Sequence, residues 1–77
     1  MRITTTVTIE GMLAVHAASA VYTALAGVDG IITADVKMGR ATIEHDGRAT
    51  HEQIADAIEV AGYRVTDMRD ERRLPLL

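Results

Sequence analysis

The 77-residue sequence holds three histidines and four methionines but no cysteine. Without a thiol, a disulfide, a zinc–thiolate centre and a thiol nucleophile are all excluded. Among the remaining soft donors, one imidazole, His16, and two thioethers, Met12 and Met38, are the candidate set. Together they suit a soft monovalent ion such as Cu(I) or Ag(I). Alone, a histidine such as His16 is more often a solvent-facing helix residue than a ligand, and a hairpin methionine such as Met38 an exposed turn residue. His45 and His51, beside Asp46 and Glu52, form a second set, suited either to a harder divalent ion or simply to a polar surface. No Ser–His–Asp or paired-carboxylate arrangement is readable; Ser19 is the single serine and Asn is absent, so enzyme activity is not expected.

These side chains must be held by one small domain, because a chain of this length has room for no more. Hydrophobic residues make up 48%, enough for a packed core, and with no Phe or Trp that core must be aliphatic. Net charge is −3, which gives no electrostatic reason to bind nucleic acid. The N-terminus alternates polar and apolar residues rather than forming a signal sequence, and no apolar run approaches the roughly 18 residues of a membrane span. A cytoplasmic, non-membrane protein is the expectation.

Residues 3–9 are β-branched with period two, placing Ile3, Thr5, Val7 and Ile9 on one face of a strand. From Ala14 to Ala26 the spacing turns helical, with Ala14, Ala18, Val21 and Leu25 as the core stripe and Gly27 as the stop. A second strand over 31–37 has Ile32, Ala34 and Val36 alternating. Met38-Gly39 makes a tight turn into a third strand over 40–46, with Ala41 and Ile43 inward. Thr50 and Gln53 have the spacing of a capping box, opening a helix to Ala61 anchored by Ile54 and Ile58. Residues 63–68 are the fourth strand. The order βαββαβ predicts an α+β ferredoxin-like sandwich, a four-stranded antiparallel sheet with two helices on one face. The domain is expected over residues 1–68, with 69–77 as a flexible tail or, alternatively, a short docking peptide.

Several features in this order resemble the heavy-metal-associated domain family, which includes copper chaperones, mercury carriers and the N-terminal domains of metal-pumping ATPases. They are the Thr-rich first strand, Glu10-Gly11-Met12, Ala24-Leu25, Gly27-Val28, the run Ala41 to Asp46, and Ala61-Gly62-Tyr63. The family motif is Gly-Met-x-Cys-x-x-Cys, whose thiolates hold a soft metal. In this sequence both thiol positions, 14 and 17, are alanine. The resemblance therefore implies the fold and a scaffold role for Gly11 and Met12, with the Met packed inward, but not thiolate chelation. It further implies a metal-binding or metal-transfer module, copper(I) as cargo, and a metal-transporting ATPase or other metal-handling protein as partner.

The same topology brings the loop after strand one, the Met38-Gly39 hairpin and the Gly62-Tyr63 turn to one end of the sheet. His45 and His51 belong at the opposite end, about 20 Å away for a strand of seven residues. His16, Met12 and Met38 are thus the candidate metal ligands, and the three histidines cannot form one cluster. The RNA-recognition motif shares the topology but stacks bases on strand aromatics that are missing here. The competing function is a protein–protein interaction module with no metal. It would use helix one and the loop before it, where Leu13, Val15, Tyr22 and Ala26 offer a second apolar stripe, and could include a homodimer through helix one. Tyr22 packing over the sheet edge is the alternative to an exposed stripe.

Overall fold

β-Branched residues at alternate positions and two amphipathic stretches give six elements in a computed structural model, which describes residues 2–13 and 16–72. They are β1 (Ile3–Glu10), α1 (Ala17–Ala26), β2 (Ile31–Lys37), β3 (Arg40–His45), α2 (His51–Val60) and β4 (Arg64–Arg72). The sheet is antiparallel throughout, in the order β2-β3-β1-β4. This is the expected ferredoxin-like sandwich, with β1 and β3 central and β2 and β4 at the edges.

The core lies between the sheet and the two helices. Val7 and Ile9 of β1, Ala41 and Ile43 of β3, Val21 and Leu25 of α1, and Ile54 and Ile58 of α2 are all buried. No aromatic ring contributes fully; Tyr63 is half-buried at the margin. The cap of α2 is as its sequence requires. Thr50 Oγ1 accepts from the Gln53 backbone N–H at 3.1 Å, and Gln53 Oε1 accepts from the Thr50 N–H at 3.2 Å.

Five details differ from the sequence expectation. Helix α1 begins at Ala17, and Ala14 and Val15 lie outside the described residues. Its buried stripe is Ala17, Val21 and Leu25, with Ala18 only half-buried, because spacings of four run straight down the helix face. In β2 the pairing with β3 slips between Ile31 and Thr33, so Ile31 turns inward and Ile32 is left 48% exposed. Strand β3 stops at His45, where Asp46 folds back to accept the Arg48 N–H at 3.0 Å. Finally, β4 runs to Arg72, so residues 69–72 of the expected tail are strand. They pair with Thr6 back to Ile3 of β1, whose outer backbone groups would otherwise lack a partner on that side. Residues 73–77 lie outside the described residues.

Gly30, between α1 and β2, is the most constrained turn position. Its φ is +93°, and a Cβ there would sit 2.8 Å from Asp46 Oδ1, 2.9 Å from Arg48 Cβ and 3.1 Å from the Ala49 nitrogen. A Gly30→Ala variant should therefore lose about 1–2 kcal/mol from the left-handed backbone alone, with the clash adding to it. A urea-unfolding midpoint unchanged from the parent would contradict this.

Candidate functional site

The loop after β1 is tied to the β2–β3 hairpin by backbone and sulfur together. The Ile9 N–H donates to the Gly39 carbonyl at 2.9 Å, and the Gly39 N–H donates to Met12 Sδ at 3.3 Å. Met12 is 6% exposed and belongs to the hydrophobic core. Its flexible thioether fills the space beneath the loop while its sulfur accepts an otherwise unsatisfied turn amide. Gly11, at φ +92°, makes the bend that brings Met12 inward, and the Tyr63 ring lies beside it. The loop, the hairpin and the turn before β4 therefore meet at one end of the sheet.

The candidate ligands differ in what they can offer there. His16 occupies the N-cap position of α1, exposed and with no capping hydrogen bond from its side chain. Its imidazole is available to solvent. Met38 is 52% exposed on the hairpin, with its thioether accessible. Met12 is placed as scaffold: its sulfur is buried and engaged by Gly39. At the family's two thiol positions, Ala17 is buried at 1% exposure and Ala14 lies outside the described residues. Among the described residues, no group of three or more His, Cys, Asp or Glu side chains could hold a metal ion. These donors do not form a chelate comparable to two thiolates.

The opposite end carries a polar network that the sequence did not announce. His45, only 3% exposed, has Nδ1 accepting the Gly47 N–H at 3.2 Å. The ring proton therefore resides on Nε2, which donates to Thr5 Oγ1 at 2.8 Å. The fully buried Thr5 hydroxyl donates in turn to Asp70 Oδ1 at 2.7 Å. The same carboxylate oxygen lies 2.7 Å from His51 Nε2. Both nitrogens of His45 are thus occupied, so a divalent-ion site formed by His45 and His51 with Asp46 and Glu52 is not what the fold builds. Asp46 is instead engaged by Arg48, through its backbone N–H and its guanidinium. Only the alternating pattern of β1, which puts Thr5 among inward residues, hinted at a buried hydroxyl in need of partners.

Partial burial pushes the Asp70 carboxyl up, but the hydrogen bonds from Thr5 and His51 and the nearby histidines together hold it below its ordinary value of 3.8. A carboxyl with a lowered folded pKa stabilises the fold above the unfolded value, and that contribution is lost as pH falls through the folded one. Asp70→Asn should therefore show a shallower loss of stability than the parent as pH is taken below about 4, a difference absent near pH 7 in its slope. Parallel acid-unfolding curves for the two proteins would rule this out.

The heavy-metal-associated domain model matches residues 6–64. The copper chaperone CopZ of Staphylococcus saprophyticus is 42% identical over 65 residues, covering 80% of this chain and 96% of that protein. Among solved structures, a CopZ metallochaperone matches with a TM-score of 0.77 and 36% identity, over 82% of this chain and 98% of the other. A copper binding domain from HMA7, a P-type ATPase, matches with a TM-score of 0.74 and 27% identity, over 88% and 97%. Among the described residues, no helix is long and apolar enough to cross a membrane.

Proposed function

We propose that this chain, which belongs to the heavy-metal-associated domain family, is a copper-handling module that carries no enzyme activity and binds Cu(I) weakly, through His16 rather than through thiolates. The observation that supports this reading is the intact anchor of the loop: Met12 is buried and its sulfur is bound by the Gly39 N–H, although the family's thiols are absent. The loop that presents metal in a thiol-bearing relative keeps its support, and His16 stands exposed at its helix end. Met38 is a second accessible soft donor from the hairpin. One imidazole with one thioether satisfies Cu(I) poorly compared with two thiolates, so the site suits transient capture or hand-over rather than retention. The relatives named as copper chaperones and as the copper binding domain of a P-type ATPase point to a metal-transporting ATPase or another metal-handling protein as partner.

A second reading is favoured by a separate observation. Leu13, before α1, is 93% exposed, and Tyr22, midway along α1, is 54% exposed. On that reading the loop and helix dock a protein partner and metal plays no part.

An anaerobic Cu(I) titration followed by NMR, with a chromophoric chelator as competitor, separates the two. The parent should show weak saturable shifts at His16 that disappear in His16→Ala. An Ala14→Cys, Ala17→Cys double variant should gain affinity by several orders of magnitude, because the scaffold for thiolate binding is in place. No shifts at His16 would remove the weak site, and no gain in the double variant would remove the retained scaffold. Tyr22→Ser should leave the copper titration unchanged and weaken partner binding only under the second reading.

A further inference from the structure

We propose that the free edge of β2 pairs antiparallel with the β2 edge of a second copy of this chain, about a two-fold axis through Val36. Strand β2 is hydrogen-bonded on one side only, to β3. Its pairing there fixes which groups face outward. Lys37 and Arg40 flank the two-residue Met38-Gly39 turn and form the hydrogen-bonded pair next to it, so Asp35 with Thr42 is the next such pair. The intervening residues, Ala34 and Val36, direct their backbone N–H and C=O to the open edge. A strand edge in this state is a template for another strand.

The side chains choose both the occupant and the register. Asp35 and Lys37 are exposed on the face of the sheet away from the helices, and neither is in an ion pair among the described residues. With Val36 opposite Val36 of the second copy, Asp35 of each copy lies opposite Lys37 of the other. The strand is therefore complementary in charge to itself, and the two-fold makes the match twice. Of the other in-phase registers, those centred on Asp35 or Lys37 would set like charges against each other, and the one centred on Ala34 would set Asp35 against Thr33 and Lys37 against Ile31. It would also run through the irregular step between Ile31 and Thr33, where regular pairing is interrupted. The bulge and the Met38-Gly39 turn thus confine regular edge pairing to the stretch from Ala34 to Lys37.

On the helix side, the same register places the exposed Met38 of one copy opposite Ala34 of the other. Beside Ala34 lies a hollow of about 180 Å³ lined by Tyr22, Ala26 and Ile31 to Ala34. Tyr22 also lines the adjoining hollow with Ala18, Ser19, Thr23 and Val36. An unbranched thioether is the side chain best able to settle into such a shallow, irregular space. Met38 and the 54% exposed Tyr22 both gain cover in this arrangement.

Charge exchange on the full chain tests the register directly, read by sedimentation equilibrium across concentration. The parent should self-associate, and less so as salt is raised. Asp35→Lys alone and Lys37→Asp alone should each weaken self-association at least about tenfold, since each sets like charges opposite at both symmetric positions. Mixed one to one, the two variants should form a heterodimer comparable to the parent dimer, because every facing pair is again opposite in sign. His16→Ala should self-associate as the parent does. A parent that stays monomeric at millimolar concentration would overturn the proposal, as would single variants that dimerise normally or a mixture that remains monomeric.

Discussion

The Thr5 hydroxyl fixes how this sheet can be assembled. It is fully buried, at a position where β1 otherwise presents Val7 and Ile9 to the core. A hydroxyl left without partners there would cost about 1–3 kcal/mol. It has two, and they come from both neighbouring strands: His45 at the end of β3 and Asp70 near the end of β4. The donor directions are forced in sequence. Gly47 gives its N–H to His45 Nδ1, so Nε2 donates to Thr5, so Thr5 donates to Asp70. A slip of one residue in either pairing would turn those partners to the opposite face and strand the hydroxyl. The register of the central strand is thus set by polar satisfaction as much as by apolar packing.

The other end of β1 is held by different chemistry. There the constraint is a sulfur and a turn amide, with Ile9 and Met12 both bound to Gly39. The two ends are about 20 Å apart, beyond a Debye length at ordinary salt. Changes in protonation at Asp70 are therefore poorly placed to influence soft-donor chemistry at the loop, and loss of donors at the loop does not disturb the polar network. This separation lets one end of a small domain change its chemistry while the other continues to define the fold.

Much of this was legible in the sequence because local pattern and tertiary role agree. Alternation in β1, the capping box at Thr50 and Gln53, and the Ile54 and Ile58 anchors each depend on neighbours within one element. What was not legible depends on distant contacts. His45 reads as a surface residue beside Asp46, but its partner Thr5 is forty positions away. The run Arg69 to Arg72 reads as a charged tail, yet an edge strand exposes most of its side chains and needs only a backbone partner, here Ile3 to Thr6. Ile32 has the alternation of an inward residue, and a bulge, which leaves no clear sequence mark, turns it outward. At the candidate site, the convergence of loop, hairpin and turn followed from topology. That Met12 would spend its sulfur on Gly39 did not.

The absence of thiols leaves the scaffold intact for a related physical reason. In this chain the bend after β1 is set from beneath, by Met12, Gly11 and the hairpin. Ala17 shows the consequence: at 1% exposure its methyl group packs where the motif places a thiol, and a small apolar side chain meets no penalty there. At position 17, then, an alanine keeps apolar area in the core. Leu13 and His16 are exposed at this end of the fold. The core beneath it closes through apolar packing and the Met12–Gly39 tie, with an alanine methyl at position 17.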